Sequence, residues 1–313
     1  MGKKTSCTGI VTRGNLDGIV CAAVFLERFP EGEVTFISSP PSAAEAAARH
    51  DGTGRLFVAD VPLTEELAAA LDSDPAIILV DHHPACRDHP QAVVDRTRSA
   101  AGALHAYLGA SPLLDGAVAL ADMYERAESA LLSKADRKLG RERLEYEVMV
   151  LDFAWRYNVE DDTFRLLAAR ELAAGRWPSE SEAIAQRFRA VMDSDRWNRA
   201  VQGVRERLEV RGSLALLDLR RGRPSFHGFG ALALTEAARE RGCKYAMLVH
   251  DSKGGSIASL RACGGTGIDL GQFIEEFARE HGTEGGGHRA SAGVRIPRHA
   301  ADVLIDRLAA AVS

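Results

Sequence analysis

Short apolar runs alternate along the chain with longer segments of helical period. CTGIVT (7–12), EVTFIS (33–38), RLFVAD (55–60) and AIILVD (76–81) predict strands, and GIVCAAVFLERF, SAAEAAARH and TEELAAALD between them carry the spacing of helices. Thr64 followed by Glu65 and Glu66 predicts a capped, acidic first turn. Strand, helix and strand in this rhythm predict a parallel sheet with right-handed crossovers, in which ligands bind beyond the carboxyl ends of the strands. From about residue 114 to 210 the pattern is helical, with no strand expected. Strands resume at SLALLDL (213–219), YAMLVHD (245–251), SIASLRAC (256–263) and AGVRIP (292–297), separated by the helical segments GALALTEAARERG and DLGQFIEEFAREHG. The expected fold class is α/β: a parallel-sheet N-terminal domain, a helical connector and a smaller α/β C-terminal domain. Boundaries are expected at 1–205, with a core at 1–130, and at 212–313.

Composition narrows the partners. With 313 residues and 46% hydrophobic content the chain can bury a sizeable core, and its length favours two domains. A net charge of −5 argues against broad binding to long duplex nucleic acid, while a local basic cleft could still hold a short phosphate-bearing ligand. The cysteines Cys7, Cys21, Cys86, Cys243 and Cys263 are odd in number and form no CxxC pair, as expected of reduced, structural thiols. The N-terminal MGKKTSCTG lacks the apolar stretch of a signal peptide, and no long uncharged apolar window occurs, so a cytoplasmic location and no membrane partner are expected.

Acidic residues gather where the first sheet's strands end. Asn15 and Asp17 follow the first strand, Asp60 closes LFVAD, and Asp81, His82 and His83 close IILVDHH. One acid at a strand end is usually a cap or a loop carboxylate. Several at one edge of one sheet repel each other unless a cation compensates, and a divalent ion such as Mn²⁺ suits mixed oxygen and imidazole ligands.

These motifs in this order, with TRGNLDG (12–18), FVAD (57–60), VDHHP (80–84) and GGGHRASAG (285–293), resemble the DHH phosphoesterases with their DHH-associated C-terminal domain. That family includes RecJ-like exonucleases, nanoRNases, phosphatases of adenosine bisphosphate, cyclic dinucleotide phosphodiesterases and exopolyphosphatase-like proteins. The resemblance implies a divalent ion, Mn²⁺ with Mg²⁺ as the alternative, held by Asp17, Asp60, His82 and Asp122, the last lying in VALADMYER. It implies that His83 faces the substrate phosphate and that Asp81 supports from behind. Ser99, in RTRSAAGALH, is expected to cap the helix after the DHH strand. In the C-terminal domain, Arg261 is implied to hold a nucleotide phosphate, and Gly285, Gly286, Gly287 and His288 to form an anion-binding loop. His227, in SFHGFG, is expected to be structural.

The first motif departs from the family's T-H-x-D-L-D-G. Arg13 stands where the histidine is expected and Asn15 where the first aspartate is expected. A guanidinium has no lone pair for a metal, and an amide offers a neutral carbonyl, which makes Asn15 at most a weak ligand. Losing one carboxylate and one ion while gaining one arginine leaves the site neutral, so one ion is expected rather than two. Arg13 is then expected to meet a phosphate oxygen in place of the missing ion.

The expected function is a metal-dependent phosphoesterase acting on short oligonucleotides or nucleotides in a cleft between the two domains. The alternative is a catalytically degenerate nucleotide-binding or regulatory protein, favoured by Arg13 and Asn15. Polyphosphate hydrolysis has less support, because the charge balance offers no dense cationic cleft. The sequence leaves open the substrate's base, length and linkage, and a homodimer.

Overall fold

The computed structural model describes residues 8–220, 226, 228–252, 254–264, 267–283 and 285–313. Cys7 and His227 lie outside the described residues. The chain divides into two compact units, Met1–Ala190 and Val191–Ser313.

In the first unit, β1 (Gly9–Arg13) turns directly into α1 (Leu16–Arg28). Every residue of α1 from Leu16 to Leu26 is buried, as befits a helix that is apolar on all sides and polar only at Asp17 and its C-terminal end. Phe25, in α1, meets Phe57 edge-on at 5.9 Å between ring centroids, and burying one such ring contributes about 2–3 kcal/mol. The first turn of α1 fits only glycine at position 18, where a Cβ would lie 1.9 Å from the carbonyl oxygen of Arg13. The unit continues through β2 (Glu33–Ile37), α2 (Pro40–Ala48), β3 (Leu56–Ala59), α3 (Glu65–Ser73), β4 (Ile77–Asp81), β5 (Ala92–Val94) and α4 (Ala100–Leu108). Its strands are all parallel, in the order β2-β1-β3-β4-β5, so β1, β3 and β4 lie side by side with their carboxyl ends at one edge. Thr64 caps α3, its hydroxyl accepting from the Leu67 amide. The short strand β5 is the one addition to the expected sheet.

Helices follow: α5 (Asp115–Tyr124), α6 (Ala130–Leu139), α7 (Arg141–Arg156), α8 (Asp162–Ala173), α9 (Glu182–Asp193) and α10 (Arg196–Arg207). The division between units falls within α9, and α10 belongs to the second.

The second unit contains β6 (Glu209–Arg211), β7 (Leu214–Asp218), α11 (Gly230–Glu240), β8 (Tyr245–Ser252), β9 (Gly255–Ala262), α12 (Leu270–Glu280), β10 (Gly285–His288), β11 (Ser291–Ile296) and α13 (Ala300–Ala311). Its sheet runs β10-β11-β9-β8-β7-β6, with β7 and β8 parallel and the other pairs antiparallel. The glycine run at 285–287, expected as an anion-binding loop, is instead a strand. Its backbone pairs with β11, and close packing explains the composition: a Cβ at Gly285 would lie 2.6 Å from Val294, and one at Gly287 would lie 2.4 Å from the Ser291 carbonyl oxygen.

Candidate functional site

Three adjacent strands deliver the site. β1 ends in Arg13 and the Asn15 turn, β3 ends at Asp60, and β4 ends in Asp81 followed by His82 and His83. Asp60 takes a left-handed backbone, φ 57°, which an aspartate tolerates better than most residues and which turns the chain sharply out of the strand.

Asp60 is buried, and neither of its carboxylate oxygens accepts a hydrogen bond. The nearest cationic partner is His82, whose Nε2 lies 3.5 Å from Oδ1. An anion so placed is costly unless a positive charge sits beside it. The same His82 nitrogen is 3.8 Å from Oδ2 of Asp17. Burial works against a charged imidazole there, but the contact with Asp60 and the charges of Asp17, Asp81 and Asp60 outweigh it, and His82 is pushed up to about 10. Ligand atoms of Asp60, Asp81, His82 and His83 lie within 4.8 Å of one another. The orphaned oxygens of Asp60 beside an imidazole fit a divalent cation, which would replace the proton on His82.

Asp17 sits in the first turn of α1, fully buried, with each oxygen held at 2.9 Å: Oδ2 accepts from the Ala100 amide and Oδ1 from the Ala101 amide. These are the first amides of α4, so a helix N-terminus faces the carboxylate. Burial first, and the charge of Asp60 second, still push the Asp17 carboxyl well up, against the pull of His82 and the Ala101 amide.

Asp81 and His83 form a separate pair. Asp81 accepts from the His83 amide at 2.9 Å and meets its Nδ1 at 2.9 Å. Burial opposes ionisation of Asp81, but the charge and hydrogen bond of His83, aided by His82, hold it down at about 2. An ionised carboxylate only accepts, so Nδ1 of His83 carries the hydrogen and the ring is fixed in one orientation.

The remaining expected residues divide. Asn15 is the N-cap of α1, its Oδ1 accepting from the Gly18 amide at 2.8 Å, which accounts for the amide without a metal. Arg13 is half-buried, and its guanidinium makes no hydrogen bond or ion pair with another described residue. Asp122, in α5, is buried and stands outside the Asp60 group: Oδ1 accepts from the Ser99 amide at 2.8 Å and its hydroxyl at 2.7 Å, and Oδ2 accepts from the Ser129 hydroxyl. Ser99 caps α4 as expected. In the second unit, Ser291 of β11 pairs with both Arg261 of β9 and His288 of β10, which sets the three in a row on one face of the sheet with Arg261 exposed.

Two residues escaped sequence reasoning. Arg165, buried in α8, donates from Nε to the Gly14 carbonyl at 2.9 Å and so touches the β1–α1 turn. Nothing in the local sequence distinguishes it from other helix arginines. Ser129 could have been found, since a serine opening the apolar run ALL is a plain cap signal.

Residues 233–313 match the family model of the DHHA1 domain. A search of the curated proteins finds no match. Among solved structures, the chain is similar to the DHH domain of a member of the s1p family of ribosomal proteins, with a TM-score of 0.71, 15% identity, and coverage of 98% of this chain and 86% of that one. RecJ from Thermus thermophilus, solved with Mn²⁺, gives a TM-score of 0.64 at 14% identity, over 97% of this chain and 52% of that one. PggH, a pGpG-specific phosphodiesterase from Vibrio cholerae, gives 0.59 at 15% identity, over 97% and 98%. At these identities the likeness is one of fold. No helix among the described residues is long and apolar enough to cross a membrane.

Proposed function

We propose that this chain, which has the fold of DHH-domain proteins and ends in a DHHA1 domain, is a metal-dependent phosphoesterase acting on short oligonucleotides or nucleotides through a single-cation site. The observation that carries the reading is the buried carboxylate of Asp60, with no hydrogen-bond donor on either oxygen, beside an imidazole pushed up to about 10. Asp17, Asp60 and His82 would hold the ion, Mn²⁺ or Mg²⁺. When bound, such an ion supplies a water of lowered pKa and positive charge at the phosphate.

The chain's own groups do the rest. Arg13, unspent on any described partner, binds a phosphate oxygen where a second ion is absent. His83 in its imidazolium form, donating from Nδ1 to Asp81, donates from Nε2 to a phosphate oxygen and stabilises the charge that develops there. In the DHHA1 domain, the exposed Arg261 in its row with His288 suits a nucleotide phosphate. The solved relatives named for pGpG hydrolysis and for RecJ make a nucleotide substrate the first to try.

The second reading is a nucleotide-binding protein without turnover, favoured by Asn15, whose carbonyl oxygen is engaged in capping α1. Purified protein with Mn²⁺ decides between them. One bound ion with hydrolysis of short oligoribonucleotides, a cyclic or linear dinucleotide, or a nucleoside bisphosphate is expected. Tight nucleotide binding without hydrolysis would leave only the second reading.

A further inference from the structure

Asp122 occupies the place where the family resemblance implies a metal ligand, yet its environment is that of a brace. It accepts from both the backbone amide and the hydroxyl of Ser99, and from the hydroxyl of Ser129. Each serine caps a helix: the Ser99 hydroxyl accepts from the Gly102 amide at 3.0 Å at the start of α4, and the Ser129 hydroxyl accepts from the Leu132 amide at 2.9 Å at the start of α6. One carboxylate on α5 therefore ties together the N-termini of two other helices. The approach is close enough that a Cβ at Gly102 would lie 3.0 Å from Oδ1 of Asp122. The amides that follow Ser99, those of Ala100 and Ala101, are the two that hold Asp17.

We infer that Asp122 is a positioning residue and not a ligand: it fixes the N-terminus of α4 through Ser99, and through the α4 amides it fixes the carboxylate of Asp17. The inference deepens the proposed function and rests on it for the cation, whereas the brace stands in the metal-free protein. A ligand and a brace respond differently to mutation. Removing a carboxylate whose one task is to ligate orphans no donor in the metal-free protein, while removing this brace orphans three donors and lowers stability. Asparagine can keep the brace, since its carbonyl can accept from Ser99 and its amide can donate to the Ser129 oxygen, but it is a poor replacement for a ligating carboxylate.

The test compares wild type, Asp122→Asn, Asp122→Ala and Ser129→Ala by metal-free thermal unfolding and by Mn²⁺ titration. The brace requires a metal-free Tm lowered by about 5 °C in Asp122→Ala and lowered less in Ser129→Ala. It also requires Mn²⁺ affinity within about threefold of wild type in Asp122→Asn and at least about tenfold weaker in Asp122→Ala. A raised metal-free Tm in Asp122→Ala, or loss of Mn²⁺ binding in a stably folded Asp122→Asn, overturns the inference. Should Asp122→Ala fail to fold, Asp122→Asn and Ser129→Ala decide it: unchanged stability in Ser129→Ala or lost Mn²⁺ binding in Asp122→Asn refutes the brace. If wild type binds no Mn²⁺, the proposed function fails by itself, and the metal-free melting series still judges the brace.

Discussion

The Nε of Arg165 donates to the carbonyl oxygen of Gly14 at 2.9 Å, joining α8 to the β1–α1 turn across 151 residues of sequence. The same guanidinium lies 5.9 Å from the centre of the Phe36 ring and 6.0 Å from that of Trp155, so it is held in place from several sides. A Cβ on residue 14 would come 2.6 Å from the guanidinium carbon. Gly14→Ala should therefore displace Arg165 and cost about 1–3 kcal/mol in urea unfolding. A cost indistinguishable from zero would mean that Arg165 does not clamp the turn.

Asp60→Asn should abolish stabilisation by Mn²⁺ and lower the stability of the metal-free protein, since it takes away the carboxylate beside which the buried His82 imidazole holds its proton. Asparagine keeps the left-handed backbone at φ 57°, so the effect is one of charge. Thermal melts with and without Mn²⁺ check both halves. A higher metal-free Tm would show that the Asp60 charge is uncompensated without the ion.

Cation binding should release a proton. His82, pushed up to about 10, is protonated at neutral pH in the metal-free protein, and only its neutral form can ligate. Affinity should then rise with pH, by up to about tenfold per unit, and level off as pH passes about 10. Titration calorimetry in two buffers of different ionisation heat counts the protons. At least about one released at pH 7.5 is expected, the raised carboxyl of Asp17 adding to the count; none would remove His82 from the ligand set.

Asp81 predicts an acid limb. Its folded-state pKa, about 2, lies below the ordinary 3.8, so its contribution to stability is complete above the unfolded value and is lost as pH falls toward about 2. The shift corresponds to roughly 2 kcal/mol. Asp81→Asn should lower stability at neutral pH and flatten the curve below pH 4. An unaltered acid limb would place the effect elsewhere.

The double change Arg13→His with Asn15→Asp should raise Mn²⁺ stoichiometry from one to two and increase turnover. An aspartate at position 15 still accepts from the Gly18 amide, so the cap survives, whereas Asn15→Ala should cost about 1 kcal/mol. Unchanged stoichiometry in a folded double variant would undo the alignment of the first motif.

Much of this was legible in the sequence because apolar period and chemistry coincide at strand ends. LFVAD and IILVDHH announce both a buried parallel strand and the acid that follows it, and the observed sheet sets those acids at one edge. The glycine run reads as a loop in the sequence because glycine reports only that a side chain is excluded, and the structure makes it a strand. A loop around an anion and a strand pressed against Val294 and Ile274 make the same demand. The sequence singles out Asp122 as an expected metal ligand, but its partners depend on where Ser99 and Ser129 arrive in space. Their separation, 23 and 7 residues away, leaves no mark in local pattern. Arg165 was invisible for the same reason.

Strand β10 lies at the edge of its sheet, with three glycines in sequence and a ladder on one side only. Glycine gains the most backbone entropy on release, and an edge strand has only one neighbour to leave. Local opening should therefore begin there, and the amides of residues 286–288 should exchange with solvent deuterium well before those of β8 and β9 in the middle of the sheet. His288 is thus mounted on an edge strand with one neighbour, so any contribution it makes to binding would be set as much by how often the strand is closed as by what it touches.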